Sequence, residues 1–115
     1  MNSRIVESAT VVEMPDRLDS NIANTVEKEL NSLVNNGQIT ILCDFSRTKY
    51  LSSAGLRVLF GTFKKTKALN GRFGVFSLSP YVREIFDVSG FSGLIPIFQS
   101  ESAAIKNAGE VPAGR

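Results

Sequence analysis

The residues best placed to do chemistry lie in one short run, Ser52-Ser53-Ala54-Gly55. A strand is expected to give way to a helix at this point. A helix start offers unpaired N–H groups and a partial positive charge, so it favours anions. A serine there can cap the helix, or it can carry a phosphate in a favourable field. Arg57 follows one turn later. Asp44 closes an apolar run, at the strand end where sites of α/β proteins collect. With equal weight, Asp44 reads as a loop residue satisfied by backbone amides. Asp19 precedes another helix start.

Few other side chains are equipped for catalysis. There is no histidine, which excludes a Ser-His-Asp triad, a Cys-His dyad and a His-ligated zinc. The single Cys43 excludes an internal disulfide and a CxxC metal knuckle. Lying mid-run among apolar residues, it reads as a small buried hydrophobe. Asp19 and Asp44 without a base, metal cluster or phosphate loop specify no reaction. Neither an enzyme nor a cofactor is expected.

The elements that must position these residues follow from periodicity. Residues 5–14 hold β-branched runs that read as one strand or as two forming a hairpin, broken at Pro15-Asp16. Ile22, Val26, Leu30 and Leu33 mark an amphipathic helix over 20–35, capped by Asp19 or Ser20 and closed by Asn36-Gly37. Residues 39–45 read as a strand buried on both faces. A second helix spans 54–69, with Leu56, Leu59, Phe60 and Phe63 on one side. Gly61 costs this helix roughly 1 kcal/mol against alanine and is expected to permit close packing. Lys64, Lys65 and Lys67 suit the helix's C-terminal dipole and carry no functional assignment. A strand at 72–76 comes next, then a helix at 81–88 started by Ser79-Pro80. An edge strand at 95–98 follows, containing Pro96, and then a helix at 100–108. The order β-β-α-β-α-β-α-β-α implies an α/β sandwich, with helices covering a mixed sheet of four to five strands. Residues 1–108 read as one domain and 109–115 as a flexible tail.

Length fits this reading, since 115 residues suit one domain. No run of the chain reaches the length of a membrane span, and the N-terminus lacks the apolar core of a signal peptide. A cytoplasmic protein is therefore expected. The net charge of +2 hides a segregation. Residues 1–44 carry seven acids and three bases, whereas residues 45–83 carry eight bases and no acid.

Residues 40–60 resemble the core motif of STAS domains, the family of bacterial anti-sigma factor antagonists. In that family a hydrophobic strand ends in Asp, here Asp44. An apolar pair follows, here Tyr50-Leu51, and then Asp-Ser-Ser/Thr/Ala-Gly-Leu opens a helix, here with Gly55-Leu56. Leu78 to Phe91 resembles the family's Ser-Pro-x-Val segment, and Leu18-Asp19 its Leu-Asp pair. The resemblance implies a phosphorylation site at Ser53, with Ser52 as second choice. Asp19, Asp44, Ser52, Ala54, Gly55 and Arg57 would edge the partner-binding site. Unphosphorylated protein would bind an anti-sigma factor of the serine-kinase (GHKL ATPase) type and free the sigma factor. Phosphorylation by that kinase would release the complex, and a PP2C-type phosphatase would reset it. The implied protein is a monomer or weak dimer, with no nucleic-acid or membrane partner.

Ser52 stands where the family has Asp, and it brings no charge. This departure motivates a second reading, a STAS scaffold without a phosphoswitch that serves as a subunit of a signalling or transport complex. A nucleotide or nucleic-acid module, suggested by the basic middle third, ranks last. No GxxxxGK[ST] pattern occurs, and bases spread along a helix usually mark a solvated face.

Overall fold

The structure, a computed structural model, describes residues 2–109. The main sheet has five strands in the order β1-β2-β4-β6-β7. β1 (Ser3–Val6) and β2 (Ala9–Glu13) form an antiparallel hairpin. β2 then runs parallel to β4 (Thr40–Asp44), β4 to β6 (Arg72–Phe76), and β6 to β7 (Ile97–Phe98). The sheet is thus mixed, and the α/β order read from the sequence holds.

Side chains alternate between the two faces of these strands. Val12, Ile41, Cys43, Phe73 and Val75 face a large core completed by Val26 and Leu30 of α1 (Ala23–Asn35), Leu56 and Leu59 of α2 (Ser53–Ala68), and Val82 and Phe86 of α3 (Pro80–Ser89). Val11, Leu42 and Phe76 face a smaller core closed by Ala104 of α4 (Glu101–Ala108). Three helices therefore cover one face and a single helix the other.

Serines start three of the four helices. The Oγ atoms of Ser52, Ser79 and Ser100 accept from the N–H groups of Gly55, Val82 and Ala103, each at 3.2 Å. α1 differs. It begins at Ala23 rather than residue 20, because Asp19 Oδ1 accepts from the N–H groups of Asn21 and Ile22 and holds residues 20–22 in a preceding turn. The last strand is also shorter than expected. Ile95 is fully buried yet outside it. Pro96 has no N–H to donate, although its carbonyl accepts from Val75 N–H at 3.0 Å.

Two elements escape the sequence reading. β3 (Arg17–Leu18) and β5 (Tyr50–Leu51) are two residues each and pair in parallel as a second, small sheet. The Gly61 expectation also fails, because a Cβ there would meet nothing within 4 Å. Close packing does demand a glycine at Gly71, whose Cβ would fall 2.1 Å from the Ile39 carbonyl oxygen. Gly109 is described, but the rest of the proposed tail lies outside the described residues.

Candidate functional site

The start of α2 is held in place by the small sheet. Ser52 N–H donates to the Leu18 carbonyl at 2.9 Å, extending the β3–β5 ladder to the helix cap. Two further bonds secure the loop before it. Lys49 N–H donates to the Asp16 carbonyl at 2.8 Å, and Thr48 Oγ1 to the Pro15 carbonyl at 2.8 Å. Gly55 completes the arrangement. A Cβ there would sit 2.8 Å from both the Cγ and the carbonyl oxygen of Leu18. Only glycine allows the first turn of α2 to seat against this strand.

The two adjacent serines consequently differ. Ser52 is the half-buried N-cap, with extended backbone and its hydroxyl oxygen committed to Gly55. Ser53 is the first helical residue, and it is exposed. Its hydroxyl sits over the positive end of the helix dipole, in a first turn without an acid. Arg57, four residues on, shares that helix face and is also exposed. Ala54 is half-buried and packs against the large core.

The carboxylates take separate places. Asp19 lies at the end of β3, beside the α2 start, with one oxygen 3.5 Å from Arg17 Nε. The Arg17 guanidinium also sits 4.5 Å over the Tyr50 ring. Arg17 and Tyr50 thus form a cationic–aromatic rim next to Ser52, and Arg17's part in it was not legible from residue types or spacing. Asp44 is at the same end of the sheet, but strand alternation puts it on the α4 face. Its Oδ1 accepts from Ser46 N–H at 2.8 Å. Its charge acts on Arg4, whose guanidinium pairs with Glu101. The hydrogen bond to Glu101 chiefly holds Arg4 above its ordinary pKa; burial opposes it, and the charges of Glu101, Asp44 and Glu13 add to the rise. The structure therefore brings Asp19, Ser52, Ser53, Ala54, Gly55 and Arg57 to one corner and leaves Asp44 on the opposite face.

The remaining sequence candidates are accounted for by packing. Cys43 is fully buried, which raises its thiol pKa, with a smaller push from Asp44. Lys65 Nζ donates to Asn31 Oδ1 at 2.6 Å, while Lys64 and Lys67 lie over Phe60 and Phe63 at 5.4 and 5.7 Å. Among the described residues no cluster of His, Cys, Asp and Glu could hold a metal, and no helix is long and apolar enough to cross a membrane. An exposed hydroxyl at a helix start, on a surface with no catalytic base, can accept a modification and present it to another protein.

Comparison with known proteins agrees with this fold. A family model described as the STAS domain matches residues 1–104. A Bordetella bronchiseptica protein named "Putative anti-sigma factor antagonist BtrV" is 38% identical over 82 residues, covering 71% of each chain. A crystal structure described as that of "a putative anti-sigma factor antagonist" from Thermotoga maritima superposes with a TM-score of 0.89 at 20% identity, covering 95% of this chain and 94% of that one. The Bacillus cell-fate determinant SpoIIAA, in its phosphorylated form, superposes with a TM-score of 0.73 at 21% identity, covering 92% and 96%. These two structures bear on the fold. The relatives' names are those of antagonists, and the likeness places the chain with non-enzymatic regulators.

Proposed function

This chain belongs to the STAS domain family, and from that premise we propose that it is an anti-sigma factor antagonist switched by phosphorylation at Ser53. Residues 1–108 act as one domain in the cytoplasm. The unphosphorylated Ser53 corner docks on an anti-sigma factor that is itself a GHKL-type serine kinase. Phosphorylation ends the complex, and a PP2C-type phosphatase restores it. One observation carries the reading. Ser53 is exposed at the first position of α2, while the neighbouring Ser52 performs the capping that would otherwise occupy it.

The physics of the switch is local. Phosphate adds about −1.5 to −2 charges at pH 7. At a helix start this charge is favoured by the dipole, so the fold can carry it. In a docked interface the same charge must be desolvated. A differential affinity of a few kcal/mol reverses the equilibrium. The test is incubation with the kinase and ATP, followed by mass spectrometry and binding of Ser53→Asp. Phosphoserine at Ser53 and a weakly binding variant support the reading. No phosphoserine, or wild-type binding by Ser53→Asp, overturns it.

A second reading rests on the first turn of α2, which lacks an acid where Ser52 replaces the family's Asp. On that reading the chain is a scaffold subunit, and Ser53→Ala behaves as wild type in every regulatory assay. Nucleic-acid binding stays last, because Lys64, Lys65 and Lys67 lie against Phe60, Asn31 and Phe63 rather than forming an open phosphate track.

A further inference from the structure

The helix α3 carries two apolar stripes, and the core covers one fully and the other only at Ile85. Val82 and Phe86 are fully buried. Tyr81, Ile85 and Val88, spaced by four and three residues, form the second stripe. Tyr81 is 52% exposed and Val88 81%. Ile85 is half-buried and packs against the large core, so Tyr81 and Val88 are the members of this stripe that folding leaves uncovered. Leu94, just after the 3-10 turn Phe91–Gly93, is also 52% exposed. A shallow groove runs along Tyr81, Glu84, Ile85, Val88 and Ser89.

This strip is joined to the Ser53 helix. Phe91 stacks on Phe60 of α2, with ring centroids 4.9 Å apart and planes 9° from parallel. Lys64 lies over the same Phe60 ring. Ser53, Arg57 and Lys64 share the exposed face of α2, a helix without any acid. On the α3 side Asp87 is hydrogen-bonded to Ser92 and Arg83, leaving Glu84 as the acid on the groove. The surface is apolar along α3 and basic along α2.

We propose that this α2–α3 surface docks an amphipathic helix of the partner, apolar along one side and acidic along the border that meets Arg57 and Lys64. The proposal rests on the reading of Ser53 as the docking corner, and it adds the chemistry of the occupant. Apolar anchors supply affinity, and the basic border fixes orientation. A phosphate on Ser53 would then face the occupant's acidic border and repel it.

Two measurements on the full chain test this. The first is titration of the protein, by amide NMR, with a synthetic helical peptide bearing Leu at four-and-three spacing and Glu on its flank. Shifts centred on Tyr81, Val88, Leu94 and Lys64, absent with a peptide whose Glu are replaced by Lys, support the proposal. Equal response to both peptides, or shifts elsewhere, overturns it. The second is affinity for the anti-sigma kinase that phosphorylates Ser53, using Val88→Glu and Leu94→Glu. Both positions are exposed, so the fold should survive, as circular dichroism would check. Loss of about tenfold or more in affinity is expected from removing an interface anchor. Wild-type affinity in both variants overturns the strip while leaving the Ser53 reading intact. If no kinase binds even the wild type, the Ser53 reading falls and the proposal with it. Self-association of the chain alone through Val88 and Leu94, seen by sedimentation, would also overturn it by assigning the strip to a second copy.

Discussion

Ser52 and Ser53 are adjacent and chemically alike, yet the fold gives them different tasks. Ser52 Oγ caps α2, so Ser52→Ala should lower stability by about 1 kcal/mol. Ser53 makes no capping bond, so Ser53→Ala should leave the urea midpoint nearly unchanged; a larger loss at Ser53 than at Ser52 would reverse the assignment. The Ser-Ser-Ala-Gly run was legible as a helix start from its residue types. Which serine caps was not, because that depends on the backbone turn at Ser52. Gly61 teaches the complementary lesson. Its cost to a helix is visible in the sequence, but the space around it is not. With nothing near its absent Cβ, Gly61→Ala should stabilise the chain by about 0.5–1 kcal/mol, read as a higher urea midpoint.

At the scale of elements, the long helices and strands were legible because each carries several apolar residues in register. β3 and β5 were not, since two residues display no period. They matter nonetheless, because the Leu18–Leu51 clamp seats the first turn of α2. Gly55→Ala should force Leu18 aside and cost about 1–3 kcal/mol, with NMR shifts centred on residues 17–19 and 50–53. Unchanged stability would show that the clamp does not constrain the helix start. The junction of α3 with the 3-10 turn has its own signature. A hydrogen bond with Ser92, aided by Arg83, holds the Asp87 carboxyl below the ordinary range. A depressed carboxylate stabilises the fold above its unfolded pKa, and that contribution is lost as pH falls through the folded value. Amides of residues 89–94 should therefore shift only below about pH 4. A midpoint above that range would mean that Asp87 is not held by this contact.

Across the whole molecule, the charge segregation of the sequence is only partly a segregation in space, since α1 and α3 carry Glu27, Glu29, Glu84 and Asp87 on the three-helix side. Arg4, Glu13, Asp44 and Glu101 gather on the α4 side. Ser53, Arg57 and Lys64 lie on the three-helix side, with Asp19 and Arg17 at its corner. Strand alternation explains why Asp44 was hard to place from sequence. Knowing that it ends a strand gives its edge of the sheet, but its face depends on the register of β4 against its neighbours. The outer surface of α2 is basic around an exposed hydroxyl, and that of α3 presents Tyr81 and Val88 beside Glu84 and Asp87. The most direct measurement is calorimetric titration of the anti-sigma kinase with the purified chain, before and after phosphorylation, with the modified residue identified by mass spectrometry. Phosphate on Ser53 and a Kd weakened by about a hundredfold or more is the predicted result. Phosphate elsewhere, or an unchanged Kd with Ser53 phosphorylated, would contradict the switch.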